Sequence, residues 1–121
     1  MIFDAHTHLN FEGFDEEERT QRAEEIAASD VGVIIDAGDS VASSRKAIED
    51  AEKYSWCYAA VGIHPEHAAE YTEEDLACSE EMLAHRKVQA LGEIGLDFHY
   101  GKDTREEQIE LFRKQLRIGM R

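Results

Sequence analysis

Apolar and polar positions along this chain follow two periods, and the switch between them recurs four times. Residues 2–9, 31–37, 57–63 and 88–96 are short runs rich in Val, Ile, Leu and Ala, and each precedes a longer polar stretch with helical spacing. The starts of these runs lie about thirty residues apart, the length of one βαβ unit. The run Val31-Gly32-Val33-Ile34-Ile35-Asp36-Ala37 is apolar almost to its end, as a parallel strand covered on both faces reads. In the first run the side chains alternate, so Phe3 and Ala5 point one way and Asp4, His6 and His8 the other.

Four helices are predicted between and after the strands. The first runs from Asp15 to about Ser29, with Ala23, Ile26 and Ala27 as a narrow inward stripe. Ser40 caps the second, where Val41, Ala47, Ile48 and Ala51 share a face. Thr72 with Asp75 opens the third, with Leu76, Met82 and Leu83 inward. Thr104 with Glu107 reads as a capping box for the fourth, with Ile109, Phe112 and Leu116 inward. Strands alternating with helices imply an α/β fold on a parallel sheet with right-handed crossovers, formed by residues 1–121 as a single domain.

Composition narrows the function. At 121 residues the chain suits one core, and no apolar run approaches the length of about 18 residues that a membrane span needs. No signal-peptide pattern precedes Ile2, and the two cysteines, Cys57 and Cys78, lack CxxC spacing. Both features suit a reducing cytoplasm. Thirteen basic against 27 acidic residues give a formal charge of −14, so no basic stripe is available to grip a phosphate backbone. Phosphate chemistry would have to be local and led by a bound cation.

The polar residues of interest cluster where the strands end: His6, His8, Asp36, His64, Glu93 and Asp97. Ligands of parallel α/β folds sit beyond those ends. Two imidazoles two apart on one strand face, His6 and His8, can share one cation. Glu93 lies in Leu91-Gly92-Glu93-Ile94-Gly95-Leu96-Asp97, among apolar and small residues. A carboxylate there is costly to bury unless it is paired or binds metal, which makes Glu93 the third candidate ligand. His64, in Gly62-Ile63-His64-Pro65, either touches substrate at the rim of the site or caps a turn. Asp97 either orients a ligand or substrate or caps a turn of its own. His67, His85 and His99 read as surface or structural residues. P-loop, GxGxxG, GxSxG and zinc-finger spacings are all absent.

With His6-Thr7-His8, Gly62-Ile63-His64-Pro65 and Gly92-Glu93-Ile94-Gly95-Leu96-Asp97 in order, the chain resembles the TatD family of metal-dependent deoxyribonucleases. The resemblance implies a (β/α)8 TIM barrel, of which four βα units correspond to the N-terminal half, a (βα)4 half-barrel. It further implies that His6 and His8 bind one divalent metal and that Glu93 bridges it to a second. The family's other ligands, two histidines and an aspartate, come from later strands. The implied activity is cleavage of DNA phosphodiester bonds by a metal-activated water, with zinc, manganese or, less readily, magnesium. Two other functions fit the same residues: hydrolysis of another small substrate, and a catalytically silent half-barrel. Four parallel strands do not close a barrel, so the chain is expected to self-associate through its open edges and face.

Overall fold

The chain folds in a computed structural model that describes all 121 residues. In order come β1 (Ile2–Thr7), α1 (Glu16–Ala27), β2 (Val31–Ala37), α2 (Val41–Lys53), β3 (Cys57–Val61), α3 (Glu73–Met82), β4 (Val88–Leu91) and α4 (Arg105–Gly119). Short 3-10 turns occupy Pro65–His67 and Lys102–Thr104. The strands form one parallel sheet in the order β1-β2-β3-β4. A doubly wound sheet reverses its strand order at a switch point, whereas a (β/α)8 barrel keeps it sequential. The sequential order here is that of four barrel units.

Caps fix three of the helices, two of them the expected ones. Asp15 accepts from the Glu18 N–H at 2.8 Å, and Ser40–Ser43 and Thr72–Asp75 form reciprocal capping boxes. The fourth box does not form: Thr104 caps nothing, and its hydroxyl instead donates to the Gly101 carbonyl while α4 begins through a 3-10 turn. The inward face of α4 also differs from the apolar pattern. Its buried residues are Gln108, Leu111 and Gln115, while Leu116 is exposed. The glutamines turn inward because they pair backbone that would otherwise be stranded. Gln115 accepts from the Ile63 N–H and donates to the Ile63 carbonyl, both at 2.9 Å, and Gln108 makes the same two contacts with Asp97. In α1, Ala23 is buried and Ile26 packs against the core, but Ala27 faces water.

Three strands stop short of the expected limits. β1 ends at Thr7, β3 at Val61 and β4 at Leu91, so His8, His64 and Glu93 all stand on the loops just past the sheet. β4 stops because its continuation leaves the line of the sheet. The Glu93 N–H donates to the Gly38 carbonyl beyond β2 at 2.8 Å, crossing the end of β3. Gly62 permits this crossing, since a Cβ there would lie 2.9 Å from the Gly92 carbonyl carbon.

The core is in two parts. Leu9, Ala23, Ile34, Ala47, Ala51, Cys57 and Ala59 pack between the sheet and α1 and α2. Ile63, Ala68, Leu76 and Leu111 join α3 and α4. β1 has no buried residue, and Ile2 and Phe3 are exposed on it.

Candidate metal centre

Three donor side chains converge past the strand ends. His6 Nε2 lies 3.2 Å from His8 Nε2 and 3.5 Å from Glu93 Oε1, and His8 Nε2 lies 3.4 Å from Glu93 Oε2. Each is placed by backbone. Thr7, between the histidines, donates its hydroxyl to the Ile35 carbonyl and pins the end of β1 to β2. Glu93 is held by the N–H contact of its own residue with Gly38 and by that of Gly92 with Val61.

The tautomer of His8 follows from its partner. Its Nδ1 is 3.0 Å from the Ala37 carbonyl, which can only accept, so Nδ1 carries the hydrogen and Nε2 keeps its lone pair. An imidazole fixed through its far nitrogen by a carbonyl is the arrangement that orients metal-binding histidines. The lone pair points at His6 and Glu93, and two imidazoles plus one carboxylate form a donor set suited to zinc or manganese. The side chains are 61%, 44% and 25% exposed for His6, His8 and Glu93, so a cation and its waters can enter directly.

His64 and a second group of donors share the adjoining cleft of about 460 Å³ with His8 and Glu93. His64 Nδ1 accepts from the Glu66 N–H at 3.0 Å, the turn-capping role, while the ring still lines the cleft. Asp39, Glu66 and His67 bring their ligand atoms within 4.8 Å of one another. His67 Nδ1 is held by Glu70 at 2.8 Å, and Ser43 donates to Asp39. Burial would raise the Asp39 carboxyl, but the Ser43 hydrogen bond and the contacts with Glu66 and His67 hold it below its ordinary value. Sequence spacing gave no sign of this group, because Asp39 and His67 stand 28 positions apart and meet only through the β2–β3 pairing.

The remaining expected residues lie elsewhere. Asp97 is not on the cleft; its carboxylate accepts from the His99 and Tyr100 N–H groups and closes a turn. Asp36, grouped by sequence with the strand-end site, turns instead toward α2 and is fully buried. His85 follows α3 and pairs with Glu52 at 3.0 Å.

A sequential parallel sheet with histidine and carboxylate side chains converging past its C-terminal end is the arrangement of half a (β/α)8 barrel with a candidate metal centre. Residues 3–121 match the family model described as TatD related DNase, and the chain belongs to that family. It is similar to an uncharacterized metal-dependent hydrolase, YabD, of Bacillus subtilis, at 43% identity over 98% of this chain and 46% of the relative. The 3'-5' ssDNA/RNA exonuclease TatD of Cronobacter sakazakii is 31% identical over 98% of this chain and 44% of its own length. Among solved structures, the TatD homologue YJJV of Escherichia coli superposes with a TM-score of 0.80 at 32% identity, covering 97% of this chain and 46% of that one. The chain thus spans under half the length of the relatives it matches.

Proposed function

We propose that this chain supplies the first part of a TatD-type metal centre, one that cleaves phosphodiester bonds of single-stranded DNA with a metal-activated water. The observation that carries this is the convergence of His6, His8 and Glu93 with His8 already locked in its metal-accepting tautomer. A bound divalent ion would supply a hydroxide at neutral pH and polarise the phosphoryl oxygen. His6 and His8 would hold it through Nε2, and Glu93 would give one oxygen and keep the other for a second ion or a water. His64 and Lys46, on the wall of the same cleft, would meet a phosphate oxygen. For Asp97 the proposed part is indirect, shaping the loop after Glu93.

The relatives named as exonucleases act on single-stranded DNA and RNA, which favours a nucleic acid substrate entering by a free end. The charge of −14 favours a short strand over a long duplex. The test is hydrolysis of 5'-labelled single-stranded DNA, alongside small phosphoesters and lactones, with Mn²⁺ and with chelator. Metal-dependent shortening of DNA is expected. Cleavage indifferent to chelator would overturn the metal mechanism, and turnover of the small substrates alone would overturn the nuclease.

A second reading is a chain that holds metal but is catalytically silent. The exposure of His6 and His8 favours it, since an open site leaves water free to compete with every polar contact. Metal uptake without turnover of any substrate is its signature.

We also infer that the 121-residue chain acts as one domain in a reducing cytoplasm and self-associates. No helix is long and apolar enough to cross a membrane, and Cys57 and Cys78 are both free. β1, exposed from Ile2 to His6, is an unprotected parallel edge. Sedimentation at micromolar concentration is expected to show a dimer, and a clean monomer would reject it.

A further inference from the structure

Behind the donor triad lies a second polar assembly, and it is closed to solvent. Asn10, Asp36 and Asp50 are all buried, Asn10 at the wall of the cleft and the two carboxyls in the layer between the sheet and α2. Asp36 Oδ1 accepts from the Asn10 side-chain amide at 2.5 Å and from the Asn10 N–H at 3.2 Å. The Asn10 amide reaches on to the Ala37 carbonyl at 2.9 Å, the same oxygen that holds His8 Nδ1. Away from the site, the Asp36 and Asp50 carboxyls lie against one another in the buried layer, and the Oδ2 atom of each has no hydrogen-bond partner. Arg19 closes the far end, its Nε 2.9 Å from Asp50 Oδ1.

We propose that Asn10 and Asp36 are positioning residues for His8, holding the turn after β1 so that the Ala37 carbonyl fixes the ring and its Nε2 lone pair faces the cation. The geometry is specific on three counts. Asp36 takes both the backbone N–H and the side-chain amide of Asn10, two residues after His8, so it sets the direction in which the chain leaves β1. Asn10 ties that turn to the end of β2 through the very carbonyl that His8 uses. Asp50, held in place by Arg19, backs the Asp36 carboxyl on its other side and keeps it against the turn. A buried carboxylate whose Oδ1 is spent twice on one turn is more than packing requires, since an apolar residue would fill the space without the desolvation penalty. The consequence for metal rests on the proposed His6–His8–Glu93 centre; the consequence for the His8 ring does not.

The experiment therefore reads both. Long-range ¹H–¹⁵N correlations on the metal-free 121-residue chain report the His8 tautomer, and titration with Co²⁺ reports affinity and the visible d–d spectrum. The parent is expected to show His8 in the Nδ1–H form. Asn10→Ala and Asp36→Ala are expected to give averaged tautomers, Co²⁺ binding about tenfold weaker and altered d–d bands, as outer-shell changes do. Asp36→Asn keeps an acceptor toward Asn10 and offers Asp50 a donor, so it is expected to restore the parent tautomer and affinity. Circular dichroism confirms that each variant is folded; Asn10→Ala, the smaller change, leaves both carboxyls paired. A folded Asn10→Ala chain that keeps the fixed Nδ1–H tautomer and the parent spectrum overturns the proposal. A parent that takes up no Co²⁺, yet shows the tautomer responding as expected, upholds the positioning and overturns the metal centre instead.

Discussion

Two clusters of polar side chains meet at the end of β2, and they are built from similar parts to opposite ends. On one side His6, His8 and Glu93 face water with their acceptor atoms turned on one another. On the other, Asn10, Asp36, Asp50 and Arg19 are packed together, with Asp36 Oδ1 taken up by Asn10 and Asp50 Oδ1 by Arg19, while the two Oδ2 atoms are buried without a partner. One cluster turns its lone pairs outward and is open; the other spends its polar atoms mostly on itself and is closed. Buried polar groups that pair with one another hold each other in place, so the closed cluster is rigid. The open cluster keeps its lone pairs where water or a cation can reach them. The same carbonyl, Ala37, touches both.

The largest expected effect breaks the open cluster. Replacing Glu93 by Gln, or His8 by Ala, removes a donor without touching the core, and divalent metal affinity should fall by at least about 100-fold, beyond the range of outer-shell changes. Thermal stability without metal should hold or rise slightly, because a crowded set of acceptors no longer has to be kept together. Metal content after gel filtration, set beside the melting curve, checks both. A variant that keeps full metal occupancy would show that the cation is held elsewhere, with Asp39, Glu66 and His67 the first place to look.

A second change strikes at saturation itself, in α4. Gln115 is buried and spends both ends of its amide on Ile63. Leu in its place suits an apolar pattern but leaves the Ile63 N–H and carbonyl without those partners. The expected loss is about 2–4 kcal/mol, from two stranded backbone groups at roughly 1–3 kcal/mol each, partly offset by apolar burial. Urea unfolding measures it. A Leu variant as stable as the parent would mean that water or a shifted loop satisfies Ile63, and that the closed region is less closed than it looks.

That residue also marks the limit of what the sequence discloses. The period of the apolar runs gives the four βα units, and the order of three short motifs gives His6, His8 and Glu93 as neighbours. Both signals are local, and chain spacing carries them. The face of α4 was hidden because hydrophobic periodicity reads glutamine as surface, whereas Gln108 and Gln115 act here as substitute backbone. Asp36 was hidden in a similar way. A carboxylate near a strand end looks like a ligand until its partner, Asp50 of α2, is seen across the layer. The end of β4 at Leu91 depended on a contact between Glu93 and Gly38, 55 positions away, which no spacing reports. Asp97 needed only its turn to be read, and the two backbone N–H groups that it accepts were the alternative already open.

The smallest expected effect sharpens the comparison through pH. Burial, together with the Asp36 carboxyl beside it, pushes Asp50 from 3.8 up to about 8, against the pull of Arg19. A carboxyl that binds its proton more tightly folded than unfolded adds stability fully present below its unfolded value and lost as pH rises through its folded value. The chain should therefore lose stability between about pH 4 and about pH 8 from this source, with no further loss above. Asp50→Asn reproduces the protonated form, since its carbonyl accepts from Arg19 and its amide donates to Asp36 without any proton to lose. It should flatten that slope, gaining on the order of 1–2 kcal/mol over the parent at pH 8, a shift of several degrees in Tm. His6, His8 and Glu93 are unaltered by this change, so metal affinity should not move with it. Melting curves from pH 4 to pH 9 for parent and variant decide the matter. Parallel curves would mean that Asp36 and Asp50 share no proton, and that Arg19 alone neutralises the pair.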